Sequence, residues 1–260
     1  MQRVKGIISY DGTHFSGYQV QPASRTVQGE LEKALAKIHK VDHWKVHGSG
    51  RTDAGVHGIG QTIHFDTPLS IPVERWPRAL NSLLPDDIYI REVEYVDMEF
   101  QARYSAIGKE YKYIVHTSKE KDVFNRHYKY HLSERLSYNT MLEAAKLLEG
   151  THDFTSFSSP KTSVINKVRT IYSISIEKQE DDLIFRYIGS GFLYQMVRIL
   201  TGTLLEVGKG NLAVEEISRI LEAKDRFQSG PTIPGNGLYL VQVFYEEEEL
   251  KRVLSNGSGG

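Results

Sequence analysis

The stretch HGSGRTDAGVHGIGQ, residues His47 to Gln61, sets a single carboxylate, Asp53, among five glycines, with Arg51 two residues before it. It is not a P-loop: G-x-x-x-x-G-K-[ST] is absent, and a strand pattern rather than a helix follows. Nor is it G-x-G-x-x-G, because the third position after Gly48 and Gly50 is Asp53; no motif for a nucleotide cofactor is left. His43 and His47 stand four apart, but DHWKVHGSG carries aromatic and β-branched residues and runs into glycines, so it reads as strand or loop. Extended, that spacing holds the two rings roughly 13 Å apart, too far for one zinc. Two readings remain open. Asp53-Ala54-Gly55 suits an Asx-turn, the carboxylate accepting from a main-chain N–H two residues on. Alternatively, the glycines bare the backbone so that another chain can approach the acid, with Arg51 as a cation for phosphate or for insertion between bases.

Outward from this loop the pattern is α+β. Val4–Tyr10 alternates as a strand ending in Asp11-Gly12, and Val27–His39 carries Val27, Leu31, Ala34, Leu35 and Ile38 at helical spacing. Beyond the loop, Gln61–Asp66 predicts a strand, Arg75–Leu84 a short helix stopped by Pro85-Asp86, and Ile88–Val96 another strand. The second half repeats the grammar. Tyr111–Val115 is a strand, Asn139–Leu148 a helix closed by Gly150, and Arg169–Glu177 with Leu183–Ile188 a hairpin. Leu193–Leu205 and Asn211–Ala223 predict two more helices, and Leu238–Tyr245 a last strand. SYDGTHFSGYQ and RYIGSGFLYQM both join a strand to a helix through a Gly-Phe loop, which suits two related halves. The expected organisation is 1–105, 106–250, and 251–260 as a flexible tail.

A chain of 260 residues suffices for two ordinary cores. Its net charge of -1 means that a polyanionic partner must be held by a local basic patch. With Cys 0 there is no disulfide framework and no thiolate ligand or nucleophile, a composition that permits a cytoplasmic location. No run is long enough to span a bilayer, and MQRVKGIISY lacks the apolar core of a signal peptide. Glycosidic chemistry then suits a lone acid, since an ionised aspartate can attack, or stabilise, a developing oxocarbenium ion. A glycosidase would pair it with a second acid. None lies in the loop, and Asp66 reads as a solvated strand end.

GSGRTDAGVHGIGQ closely resembles the signature of the tRNA pseudouridine synthase A family. YDGTHFSGYQVQ, TVQGELEKAL, LNSLLPDDIYI, FQARYSAIGKEYKYIV, LEGTHDFTSF, GSGFLYQMVRILTGTLLEVGKG and GLYLVQVFY resemble further family blocks in family order, from about Val4 to Tyr245. The resemblance implies the pseudouridine-synthase α+β fold: two similar halves forming one extended, mostly antiparallel sheet flanked by helices, with the active-site cleft between them. It implies an isomerase that converts uridine to pseudouridine at positions 38 to 40 of the tRNA anticodon stem-loop, without cofactor or catalytic metal. It also implies a cytoplasmic homodimer with tRNA reaching across both subunits.

Residue by residue, the resemblance makes Asp53 the catalytic aspartate. The acid would attack C1′ or take a proton from C2′; the sequence leaves both open. Arg51 matches the residue that fills the space vacated by the extruded uridine. Tyr111 matches the active-site tyrosine that stacks on uracil, Arg198 the arginine that pairs with the aspartate, and Leu238 an apolar residue lining the uracil pocket. Without the resemblance, Tyr111 reads as a core strand residue and Arg198 as a snorkelling arginine. One departure stands out: Asn236, in SGPTIPGNGLYL, occupies the place where the family more often has histidine.

Overall fold

The structure is a computed structural model and describes residues 1–257. In chain order its strands are β1 (Gln2–Tyr10), β2 (His47–Gly48), β3 (His57–Thr67), β4 (Ile88–Val96), β5 (Gly108–His116), β6 (Tyr130–His131), β7 (Gly150–Asp153), β8 (Val168–Gln179), β9 (Asp182–Gly189) and β10 (Leu238–Phe244). The helices are α1 (Val27–His39), α2 (Trp76–Asn81), α3 (Tyr138–Leu148), α4 (Met196–Lys209), α5 (Glu216–Ala223) and α6 (Glu247–Gly257). The class is α+β, as expected. Among the described residues no helix is long and apolar enough to cross a membrane.

The chain divides into two units. The first is Met1–Ala106 with Tyr239–Tyr245; the second is Ile107–Leu238 with the residues from Glu246 onward. This corrects the expectation that 106–250 forms one half. Strand β10 pairs in parallel with β3, Tyr239 opposite His57 and Leu240 opposite Gly58, and that pairing carries 239–245 into the first unit.

In the first unit β1 lies between β4 and β3, antiparallel to both, and β2 adds an antiparallel bridge to β3. The alternation of β1 points Val4, Gly6, Ile8 and Tyr10 inward, where they meet the apolar stripe of α1. Thr26 caps that helix by accepting from Gly29 N at 3.2 Å, satisfying one of the N-terminal donors that have no partner within the helix. Trp76 is fully buried, its ring edge-on to Phe65 at 5.2 Å and its indole N–H donating to Tyr95 Oη at 3.1 Å.

On β3, His64 is buried, stacks on His47 at 4.8 Å, and accepts at Nδ1 from Ala102 N at 3.1 Å. Burial, then the nearby His47 and Arg3, push its pKa down to about 4, against a smaller opposing pull from Asp66. The unfolded chain binds this proton near pH 6.5 and the folded chain does not until about 4, so stability falls as pH drops through that window. Between about pH 7 and pH 5 the expected loss is about 2 kcal/mol. Urea midpoints of wild type and His64→Gln at both pH values check this. A variant that loses as much stability on acidification as wild type would contradict it.

In the second unit β9 lies between β5 and β8, antiparallel to both. Beyond β8 runs β7, also antiparallel, while β6 pairs in parallel with the far end of β5. Helices α3 and α4 pack on one another, bringing Met141, Leu148, Leu200 and Leu204 into a core with Phe154, Phe157 and Phe185, all fully buried.

Several boundaries differ from the sequence reading. Strand β3 begins at His57 rather than Gln61, so Gly58 and Gly60 are strand residues. Helix α4 begins at Met196 rather than Leu193, because Gln195 sits at φ 62° and breaks the helical run. Helix α5 begins at Glu216, not Asn211: Asn211 donates to Glu206 at 2.8 Å, and Glu216 accepts from Ala213 N at 2.9 Å. The flexible tail expected over 251–260 is also corrected. Residues 251–257 complete α6, in which Leu250 is buried; residues 258–260 lie outside the described ones.

Candidate active site

The Asp53 loop is held by its main chain. Tyr18 N donates to Thr52 O at 3.0 Å, and the Thr52 hydroxyl meets Tyr10 Oη at 2.9 Å in a buried pair. Burial raises the phenol pKa of both tyrosines, Tyr10 and Tyr18, and keeps them neutral. One residue on, Asp53 O accepts from Val56 N at 3.2 Å with Gly55 at φ 75°. This is a type II turn, whose third residue needs the left-handed backbone that glycine adopts freely. The carbonyl of Asp53 closes the turn. Asp53 is half-buried and Arg51 exposed.

Packing explains most of the glycines. A Cβ on Gly48 would come within 2.5 Å of the Tyr18 ring, and one on Gly58 within 2.4 Å of the Tyr10 ring. Real Cβ atoms do not approach so closely. The tyrosines that anchor Thr52 therefore lie directly over these two glycines. This revises the reading that the glycines lay the backbone bare: the space at Gly48 and Gly58 is filled by the protein's own rings. Downstream of Asp53, His57 Nδ1 accepts from Gly12 N at 3.0 Å, and its ring stacks on Tyr239 at 4.7 Å. Upstream, Ser49 Oγ donates to Gln61 Oε1 at 2.6 Å while Gln61 Nε2 donates to Gly50 O at 2.8 Å. Both flanks of the acid are tied down.

Tyr111, Arg198 and Leu238 belong to the second unit. Tyr111 is buried on β5, opposite Tyr187 of β9, with its ring edge-on to Phe192 at 5.2 Å and 79°. Phe192 lies in the loop before α4 and was not singled out from the sequence; the repeated Gly-Phe loop was its only signal. Arg198 sits on the first turn of α4, half-buried, its Nε donating to Ile233 O at 2.7 Å. Leu238 is buried at the start of β10, after the tight turn Gly235–Gly237. That turn is seated by Tyr113, whose hydroxyl donates to Pro234 O at 2.7 Å. Inside it, Asn236 donates to Arg126 O at 2.7 Å and Lys129 O at 2.9 Å.

Two further basic residues are engaged within the protein. Arg25 grips Asp87 through two bonds, at 2.7 and 2.8 Å, and lies over the Phe15 ring at 4.2 Å. Lys112 is half-buried, and burial followed by Arg186 lowers its ammonium pKa. Among the described residues no three of His, Asp or Glu gather where they could hold a metal ion.

The family profile described as tRNA pseudouridine synthase matches residues 7–105 and 144–246. The tRNA pseudouridine synthase A of Bacillus subtilis (strain 168) is 60% identical over 245 residues, 94% of this chain and 99% of that protein. The protein of the same name from Geobacillus kaustophilus (strain HTA426) is 55% identical over 256 residues, 98% of this chain and 99% of that one. A chain of a solved Cbf5-Nop10-Gar1 complex aligns at TM-score 0.38 and 13% identity, over 94% of this chain and 60% of its own length, a likeness too slight to argue from.

Proposed function

The chain belongs to the tRNA pseudouridine synthase family and isomerises uridine to pseudouridine in tRNA; we propose that its targets are uridines 38 to 40 of the anticodon stem-loop and that Asp53 acts at their ribose. The observation that carries this is the Asp53 turn. Its carboxylate is borne on main chain fixed through Thr52 and Gly55, beside an exposed arginine. A carboxylate so held pays little orientational entropy when substrate arrives.

In the reaction the C1′–N1 bond breaks, uracil turns within the site, C5 bonds to C1′, and the proton on C5 is lost while N1 gains one. No electrons enter or leave, so the transformation requires neither oxidant nor reductant. Asp53 supplies the anionic oxygen, as nucleophile at C1′ or as base at C2′. Extruding the uridine costs a few kcal/mol, which phosphate and sugar contacts offset. We assign Arg51, Tyr111, Arg198 and Leu238 to substrate binding, on the family likeness. The same likeness supports a homodimer that acts in the cytoplasm.

The test is to incubate unmodified tRNA with the protein and map pseudouridine along the whole transcript. New pseudouridine is expected at 38 to 40. Its appearance only elsewhere overturns the assignment of target, and its absence everywhere overturns the activity.

A further inference from the structure

Between β5 and β6 the segment 119–129 forms a loop with a rigid tip. The Asp122 carboxylate accepts from Phe124 N at 3.0 Å and Asn125 N at 3.1 Å, and Asn125 donates its amide back to the same carboxylate. These bonds hold the Asp122 pKa down, the Asn125 side chain most of all. Further along, Tyr128 N and Lys129 N both donate to Asn125 O, at 2.8 and 3.1 Å. Three anchors fix this turn to the unit: the Asn236 amide on Arg126 O and Lys129 O, the Lys129–Asp182 ion pair at 2.6 Å, and the pairing of Tyr130 with Val115.

This built tip holds apolar residues out in water. Phe124 is 88% exposed and Val123 57%. A loop that spends so many bonds on its shape, yet leaves a phenyl ring uncovered, is shaped for an occupant. Charge says which one. Lys119, Lys121 and Arg126 stand against Glu120 and Asp122; Lys129 is paired with Asp182, and the Asp122 charge is already taken up by the loop's own N–H groups. In a chain of net charge -1, this is a local cationic patch around a naked aromatic ring. That pairing suits unpaired nucleotides, whose bases stack on aromatic faces while cations hold their phosphates.

We propose that this loop is a tRNA contact of the second unit, in which an unpaired base stacks on Phe124 and Arg126 meets the neighbouring phosphate. Asn236, where the family more often has histidine, is a positioning residue that fixes the tip from behind. The proposal rests on the reading of the protein as a tRNA-modifying enzyme.

The experiment measures tRNA affinity and the KM for pseudouridine formation with the full-length protein and four variants. Phe124→Ala and Phe124→Leu should both raise Kd and KM about tenfold, since leucine offers apolar area but no stacking face. Phe124→Trp should keep wild-type affinity, and its added fluorescence should be quenched on tRNA binding. Asn236→Ala should raise Kd in the same direction by less. Wild-type affinity in Phe124→Ala, with wild type binding tRNA normally, overturns the contact and leaves the enzyme's function standing. So does a Phe124→Ala protein whose sedimentation shifts while its affinity for tRNA does not, which would make the tip a protein–protein contact. A wild type that neither binds nor modifies tRNA overturns the functional reading and the contact with it.

Discussion

Asp53→Asn is expected to stop pseudouridine formation, lowering turnover about ten-thousand-fold, while tRNA still binds as tightly as to wild type or more tightly. The substitution keeps the size and shape of the side chain and removes only its charge. The turn is closed by Asp53 O and shaped by Gly55, and Thr52 keeps its bonds to Tyr18 and Tyr10, so these restraints on the loop remain in the variant. Both ways in which the acid could act, attack at C1′ and proton removal at C2′, need an anionic oxygen, and an amide supplies neither. Losses of this size are typical when the group that makes or breaks the covalent bond is removed. Removing a negative charge beside a polyanion cannot weaken their attraction. The readout is tritium released from tRNA uridines labelled at C5, measured under single-turnover conditions beside a binding isotherm. Turnover within tenfold of wild type would remove Asp53 from the chemistry. Lost turnover together with lost binding would mean that the acid serves recognition instead.

How far the sequence carried this picture depends on which force shapes each element. Helix α1 and strands β1 and β4 were legible because one amphipathic periodicity decides each of them. The start of β3 was not. Two glycines in HGIGQ lower strand propensity, but the ring of Tyr10 over Gly58 and the pairing with β10 override it, and both partners come from distant sequence. Helix α6 was obscured because SNGSGG resembles a linker, although Leu250 upstream is buried.

The site divides in the same way. The acid is conspicuous as the one carboxylate in a glycine-rich run, and the partners proposed for it rest on the family likeness. What the glycines do was misread, since spacing along a chain says nothing about which rings will lie across it. Asn236 was noticed as a departure, yet its two bonds to the 119–129 loop cross more than a hundred positions. Phe124 carried no signal at all: a phenylalanine is ordinary until it is found uncovered.

Gly12→Ala puts the loop's support to a different test, and should cost about 3 kcal/mol or more of stability. A Cβ at this position would lie 2.0 Å from Val56 O, 2.5 Å from Val56 C and 3.0 Å from Val56 N. Every one of these atoms is main chain, so no side chain can swing aside to make room. Either the 3-10 turn that Gly12 opens or Val56 must retreat by about 1 Å. Both are tethered: Gly12 N donates to His57 Nδ1 at 3.0 Å, and Val56 N closes the Asp53 turn. Relief of the clash therefore displaces the Asp53 carboxylate proposed to act in catalysis, and a misplacement of about 1 Å can cost about a hundredfold in rate. Gly210→Ala is the control, because Gly210 sits at φ 79° with nothing within 4 Å; it should pay only the left-handed backbone cost, about 1 kcal/mol. Urea midpoints order the two variants, and turnover measured where both remain folded separates them again. Gly210→Ala should then be fully active and Gly12→Ala about a hundredfold slower. If Gly12→Ala instead matched wild type in both midpoint and rate, the loop would not be seated against Gly12 in solution, and the rigid presentation of Asp53 would fall with it.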